Sequence, residues 1–284
     1  MDTFISYFSN IPSSHRASII IGGLVFFFLV ENITPLFSFK GKKGKHLVIN
    51  LFFTATTIIV NVLFATLILA ISDYCTENKV GFLQWANLPA WAMFLVGMLA
   101  FDLVGAYLPH LLEHRIMYLW RFHVVHHTDP TVDTTTANRH HPLESVIRAV
   151  FTTLGVAILG APIWVVMAYQ SASVLLSQFN HANIRIPKWL DNAISYIIVS
   201  PDMHKVHHHY RLPYTDSNYG NIFSIWDRIF RTFTYMENPK DIVYGLDTYP
   251  LKNEHSNLGF LLKQPFLQYR KPQETAETQI EQDY

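Results

Sequence analysis

The stretch His110–His127, HLLEHRIMYLWRFHVVHH, constrains the fold of this chain more than any other. On a helix, His110 and His114 stand four apart and share a face, while His123, His126 and His127 recur at i, i+3 and i+4 on one stripe. A third set, His204, His207 and His208, repeats the second spacing. Neutral imidazole binds zinc, copper, iron and nickel, so the pattern points to a polynuclear metal site assembled from distant segments. The plainer alternative is three exposed, fortuitously His-rich helix faces. Composition bias does not readily repeat the same i, i+3, i+4 geometry twice.

Half of the 284 residues are hydrophobic, 15% are charged and the mean hydropathy is +0.18, values too apolar for an ordinary soluble domain. Apolar runs from Ala17 to about Phe37, Leu47 to Ile71 and Pro89 to Leu108 are each near the roughly 20 residues a membrane span needs. A fourth, Val146–Phe179, is broken by Gly160-Ala161-Pro162 and reads as a helical hairpin. No small-residue cleavage site follows the first run, which reads as a retained span. The basic turn Lys40–Lys45 puts that loop in the cytoplasm, and the loop Ser72–Leu88, with Cys75, on the opposite side. All three His sets then fall on the cytoplasmic side. Zero formal net charge gives no reason to expect a nucleic-acid partner, and a lone cysteine excludes an internal disulfide or a zinc site built on Cys pairs.

The expectation is an all-α integral membrane protein in a single domain. It has about four membrane-embedded helices (17–37, 47–71, 89–108, and the 146–179 hairpin) and a cytoplasmic metal-binding cap (109–145 and 180–240). Lys271–Tyr284 reads as a disordered polar tail. His181 stands where the hairpin exits, level with the first set. With His110, His114, His123, His126, His127, His204, His207 and His208 it makes nine candidate ligands, more than one closed zinc centre takes and enough for two metals. Glu31, near the end of the first run, reads as structural. Asp102 sits two turns above His110, where it either orients an imidazole or makes a helix–helix hydrogen bond. Asp202 reads as a helix cap, and His209 as a poor addition to its set.

The boxes HxxxH, HxxHH and HxxHH resemble those of the fatty acid hydroxylase/sterol desaturase superfamily, membrane di-iron oxygenases. The resemblance includes Leu119-Trp120-Arg121-Phe122, Arg139, His141-Pro142-Leu143-Glu144, Asn218-Tyr219-Gly220 and Trp226-Asp227, and covers roughly Phe101 to Phe233. Two positions depart: the family usually has an aromatic at His140 and a Gly at Arg231. His140 therefore reads as a surface or packing residue. The resemblance implies two iron ions, zinc being a possible substitute in purified protein, with O2 as oxidant and a C–H bond of a sterol or a fatty-acyl or ether lipid as target. It supports His181 as a ligand and implies roles behind the ligands for Asp102, His141, Glu144, Asn218 and Asp227, with no catalytic residue beyond the ligands. No haem-binding or flavin fingerprint is present, so a separate cytoplasmic-side electron-transfer protein is expected, in a bacterial inner membrane or the endoplasmic reticulum. The competing reading is a non-redox membrane zinc protein, hydrolytic or structural.

Overall fold

Helix follows helix along the chain because each apolar run is bounded by residues that stop it. In the computed structural model, which describes residues 1–39 and 43–270, α1 (Asp2–Ser9) is followed by α2 (Ser13–Ile33), entered through Pro12. Next come α3 (Lys43–Asn78), a single turn α4 (Phe82–Trp85), and α5 (Ala90–Asp102), which runs through a π-turn at Leu103–Tyr107 into α6 (Leu108–Arg115). The chain turns at Ile116 into α7 (Met117–His127). A polar loop leads to α8 (Pro142–Leu159) and α9 (Ile163–His181), then to the short helices α10 (Lys188–Ser195), α11 (Pro201–His207) and α12 (Ile225–Ile229). Four stretches are long and apolar enough to cross a membrane: Ser13–Ile33, Lys43–Trp85, Ala90–Arg115 and Pro142–Leu159. Among the described residues the only β pairing is isolated bridges.

Helices α8 and α9 form a hairpin. Pro142 opens α8 at its first turn, Gly160 ends it at φ +61°, and Pro162 precedes α9. Only glycine fits that tip, since a Cβ on Gly160 would lie 2.1 Å from the Val80 carbonyl oxygen. The Ser72 hydroxyl, on α3, donates to the Ala161 carbonyl at 2.8 Å and pins the tip further. Between α3, α5, α8 and α9 lies a core of Ile68, Phe101, Val156, Val165 and Tyr169. Outward faces carry exposed apolar side chains such as Phe26, Leu29, Ile59 and Leu63, as lipid contact requires.

Several boundaries differ from the sequence reading. The second helix continues past Ile71 to Asn78, so Cys75 is buried on α3, its Sγ 3.9 Å from the Ala157 carbonyl, and not in a loop. The third apolar helix continues past Leu108 through the first His pair. The N-terminal lead is itself helical, with Phe4 packed on Phe94 and Trp164. Lys40–Lys42 of the basic turn and the tail Lys271–Tyr284 lie outside the described residues.

At one end of the helices, loop 128–138 is clamped by buried polar groups. Asp129 accepts from His46 at 2.9 Å and from Thr136, and Arg139, fully buried, reaches Asn50 Oδ1, the Val125 carbonyl and the His255 carbonyl. Burial opposes the Asp129 charge, but His46 and Arg139 outweigh it and hold its carboxyl well below the usual range. Glu31 has the structural role expected, accepting the backbone N–H of Thr134 and Asn183.

Candidate metal centre

All nine candidate histidines gather at the clamped end of the helices. His110 and His114 share a face of α6, His123, His126 and His127 line α7, and His181 is the last residue of α9. His204 and His207 lie on α11, with His208 just beyond it. The N-cap of α11 is Ser200, whose hydroxyl accepts from Met203 N, and not Asp202, which instead stands 3.7 Å from Lys205.

The rings fall into two groups. His110, His114, His123, His127 and His207 present ring nitrogens within 4.8 Å of one another, as do His126, His181, His204 and His208. Most of these rings have one nitrogen committed outward. Nδ1 of His110 donates to the Tyr219 carbonyl at 2.9 Å, His114 to Asp216 at 3.1 Å, His123 to Glu144 at 2.7 Å, His207 to the Ser217 carbonyl at 2.6 Å, and His181 to Asn180 Oδ1 at 2.7 Å. The opposite nitrogens converge. Nε2 of His110, His114 and His207 is buried without a partner among the described residues. Nε2 of His123 and His127 lie 3.1 Å apart, and Nε2 of His126 and His204 lie 3.2 and 3.0 Å from that of His181. Outer N–H groups fixed on carboxylates and carbonyls, with inner lone pairs aimed at one point, are the arrangement of metal-binding imidazoles. Burial, and then the neighbouring imidazoles, push the rings on α7 and α11 and that of His208 well below their ordinary pKa, so they are neutral, as ligands must be. The donor set therefore fits two imidazole-bound metal ions.

The π-turn helps to aim α6. Eight residues of regular helix would set Asp102 and His110 about 80° apart, and taking up one residue in a π-turn reduces this to about 20°. Both then face the loop 217–223. Asp102 nevertheless touches no imidazole. Its carboxylate accepts the backbone N–H of Ile222 at 3.0 Å and Phe223 at 2.9 Å, with the Tyr169 hydroxyl on α9 more distant at 3.4 Å. It therefore secures the loop whose Tyr219 carbonyl holds His110. Of the two expected roles, the structure shows no bond from Asp102 to an imidazole, and its bond to Tyr169 on α9 is the longest of the three it accepts.

Asp227 and Asn218 act on the same loop. Asp227 accepts the N–H of Tyr219 and Gly220, while Asn218, at φ +54°, bonds the Met203 and Thr234 carbonyls and Thr234 N–H. Neither meets an imidazole of the two groups. His141 also stands apart: its Nδ1 accepts from Leu143 N at the start of α8 and its Nε2 faces the Leu262 carbonyl. Glu144 alone of the five contacts a candidate ligand directly. His209 points away, accepting from Arg211 N.

Sequence reasoning missed Asp216, Glu113, Arg148 and the Tyr219 and Ser217 carbonyls. Glu113 lies 3.7 Å from His123 Nδ1 and is paired with Arg148 at 2.5 Å. Its place beside His114 and the i, i+4 spacing of Glu144 and Arg148 were visible signals. Backbone carbonyls leave none.

Residues 94–232 match the profile of the fatty acid hydroxylase family. An ornithine lipid hydroxylase OlsE from Rhizobium tropici is 27% identical over 57% of this chain and 47% of its own length. The alkylglycerol monooxygenase of Danio rerio is 34% identical over 60% of this chain and 35% of its own. Methylsterol monooxygenase 1 of Rattus norvegicus is 27% identical over 52% and 50%. The chain thus spans half or less of these relatives' lengths, and no solved structure matches it. The segment that matches the fatty acid hydroxylase family, residues 94–232, is the one that carries both imidazole groups.

Proposed function

We propose that the protein is an oxidoreductase that uses two iron ions and O2 to oxidise a C–H bond of a membrane lipid, a sterol or a fatty-acyl or ether lipid. The observation that carries this reading is the pair of adjacent buried imidazole groups at one end of membrane-length helices, within the family-matching segment. His110, His114, His123, His127 and His207 would hold one ion, and His126, His181, His204 and His208 the other. The ions, when bound, supply the activation of dioxygen that no side chain can provide.

The remaining work belongs to the chain. Glu144, Asp216 and the Tyr219 and Ser217 carbonyls keep the outer N–H groups occupied, so the inner lone pairs stay aimed. Burial of both groups excludes water. A groove of about 670 Å³ between α2 and α9, lined by Gly22, Gly23, Phe27, Leu176 and Phe179, opens to the membrane face and runs beside the helix that ends in His181, a path for an alkyl chain. The relatives' names speak of lipid and sterol substrates, which supports this class. Both groups lie at the Lys43 end of α3, which supports a cytoplasmic-facing centre reduced by a separate electron-transfer protein.

The test is purification with metal analysis, followed by lipid profiling under air and under nitrogen with a chemical reductant. Two irons per chain and an oxygen-dependent lipid product are expected. Tightly held zinc with no oxygen-dependent product from the iron-loaded protein would overturn the reading.

A further inference from the structure

His140 is a residue that neither the boxes nor the usual family pattern call for. We propose that it is a positioning residue that ties the two imidazole groups to each other, through Glu144 to His123 of one group and through ring stacking to His126 of the other. The proposal rests on the reading that both groups hold metal.

Glu144 is held at a single oxygen. Its Oε1 accepts from His123 Nδ1 at 2.7 Å, His140 Nδ1 at 2.7 Å and Arg148 Nε at 3.1 Å, whereas Oε2 has no partner among the described residues. The orientation of the carboxylate, and with it that of the His123 ring, therefore depends on what surrounds Oε1. Arg148 cannot set it alone, because its Nη2 is committed to Glu113 at 2.5 Å. His140 supplies the second anchor and is itself fixed from behind. Its Nε2 stands 3.1 Å from the Ala137 carbonyl, within the 3-10 turn Thr134–Asn138 that Asp133 and Thr136 close with a capping box. Both ring nitrogens thus face oxygen acceptors, and the side chain is only 12% exposed.

The same ring lies nearly parallel to His126, 4.8 Å between centroids at 24°. One rigid imidazole therefore touches a member of the second group and the carboxylate that orients a member of the first. An aromatic side chain in its place would stack on His126 and offer Glu144 nothing. His123, His140 and Glu144 also present ligand atoms within 4.8 Å of one another, but His123 Nδ1 already donates to the carboxylate oxygen that a third ion would need.

The experiment uses the full chain in detergent micelles, stripped and reloaded with cobalt(II), for wild type, His140→Phe and His140→Ala, with helicity recorded for each. The readouts are cobalt equivalents per chain, the visible absorption spectrum, and release into excess chelator. Wild type is expected to bind two equivalents. His140→Phe keeps the ring and so carries the test even if His140→Ala misfolds. It should still bind two, with an altered spectrum and one equivalent released about tenfold faster, the lower end of the effect of losing an outer partner. His140→Ala should speed the release of both. Wild-type spectra and release in a folded His140→Phe would overturn the positioning role. A third equivalent in wild type, lost in His140→Phe, would overturn it differently, by making His140 a ligand. Wild type that binds no metal would sink the underlying reading instead.

Discussion

Replacing Asp102 with asparagine should cost both stability and one metal ion. The carboxylate accepts two backbone N–H groups, Ile222 at 3.0 Å and Phe223 at 2.9 Å, at a fully buried site. An asparagine amide can accept one of them, and its NH2 then faces the other N–H donor. One hydrogen bond to the carboxyl group is lost, and a backbone N–H is left buried without a partner, a penalty of about 1–3 kcal/mol. The expected cost is about 2–3 kcal/mol, and more for Asp102→Ala, which strands both N–H groups. A hydrogen bond between membrane helices alone would be worth well under ~1 kcal/mol. Because the loop also carries the Tyr219 carbonyl that accepts from His110, its movement should weaken the five-imidazole group by about 10- to 100-fold and spare the other. Thermal unfolding in detergent and metal equivalents per chain read the two effects. An Asp102→Asn protein with wild-type melting and both ions held would refute the assignment.

His207→Ala should lose metal, while its near neighbour His209→Ala should keep the wild-type complement, because His209 Nδ1 is occupied by Arg211 N–H outside both groups; metal analysis of the two proteins compares them directly. Gly160→Ala puts a Cβ 2.1 Å from the Val80 carbonyl at a positive φ and should lower thermal stability by about 1–3 kcal/mol, with metal content unchanged because the tip lies at the far end of the helices from the imidazoles. Burial, opposed by Asp129, lowers His255 to about 4. Between its unfolded value near 6.5 and about 4 the unfolded chain binds a proton that the folded one does not, so this group withdraws stability as pH falls through that window. His255→Gln should therefore flatten the fall in melting temperature between pH 6.5 and 4; an unchanged slope would remove His255 from the acid response.

Membrane helices and box histidines were legible in the sequence because both depend on local order. An apolar run near 20 residues long has few other stable solutions, and i, i+3, i+4 spacing places imidazoles on one stripe wherever the helix ends up. Gly160 and Pro162 likewise announced the hairpin tip through backbone dihedrals. What the sequence could not decide is which imidazole joins which group. His126 and His127 are neighbours on one helix, yet they enter different groups because helical rotation points them apart, toward α9 in one case and α6 in the other. The roles of Asp102, Asn218 and Asp227 were equally hidden. Each acts through backbone N–H or C=O groups of residues 203–234, and a backbone group carries no sequence signature. His140 shows the same limit. Its sequence marked it only as a departure, while its two contacts, with a carboxylate four residues on and with a ring fourteen residues back, exist only where loop 128–138 folds over α7. Residue type and spacing therefore determined the helices and the ligand candidates; only tertiary structure, by fixing where loops lay their backbone groups, decided how those candidates are divided and held.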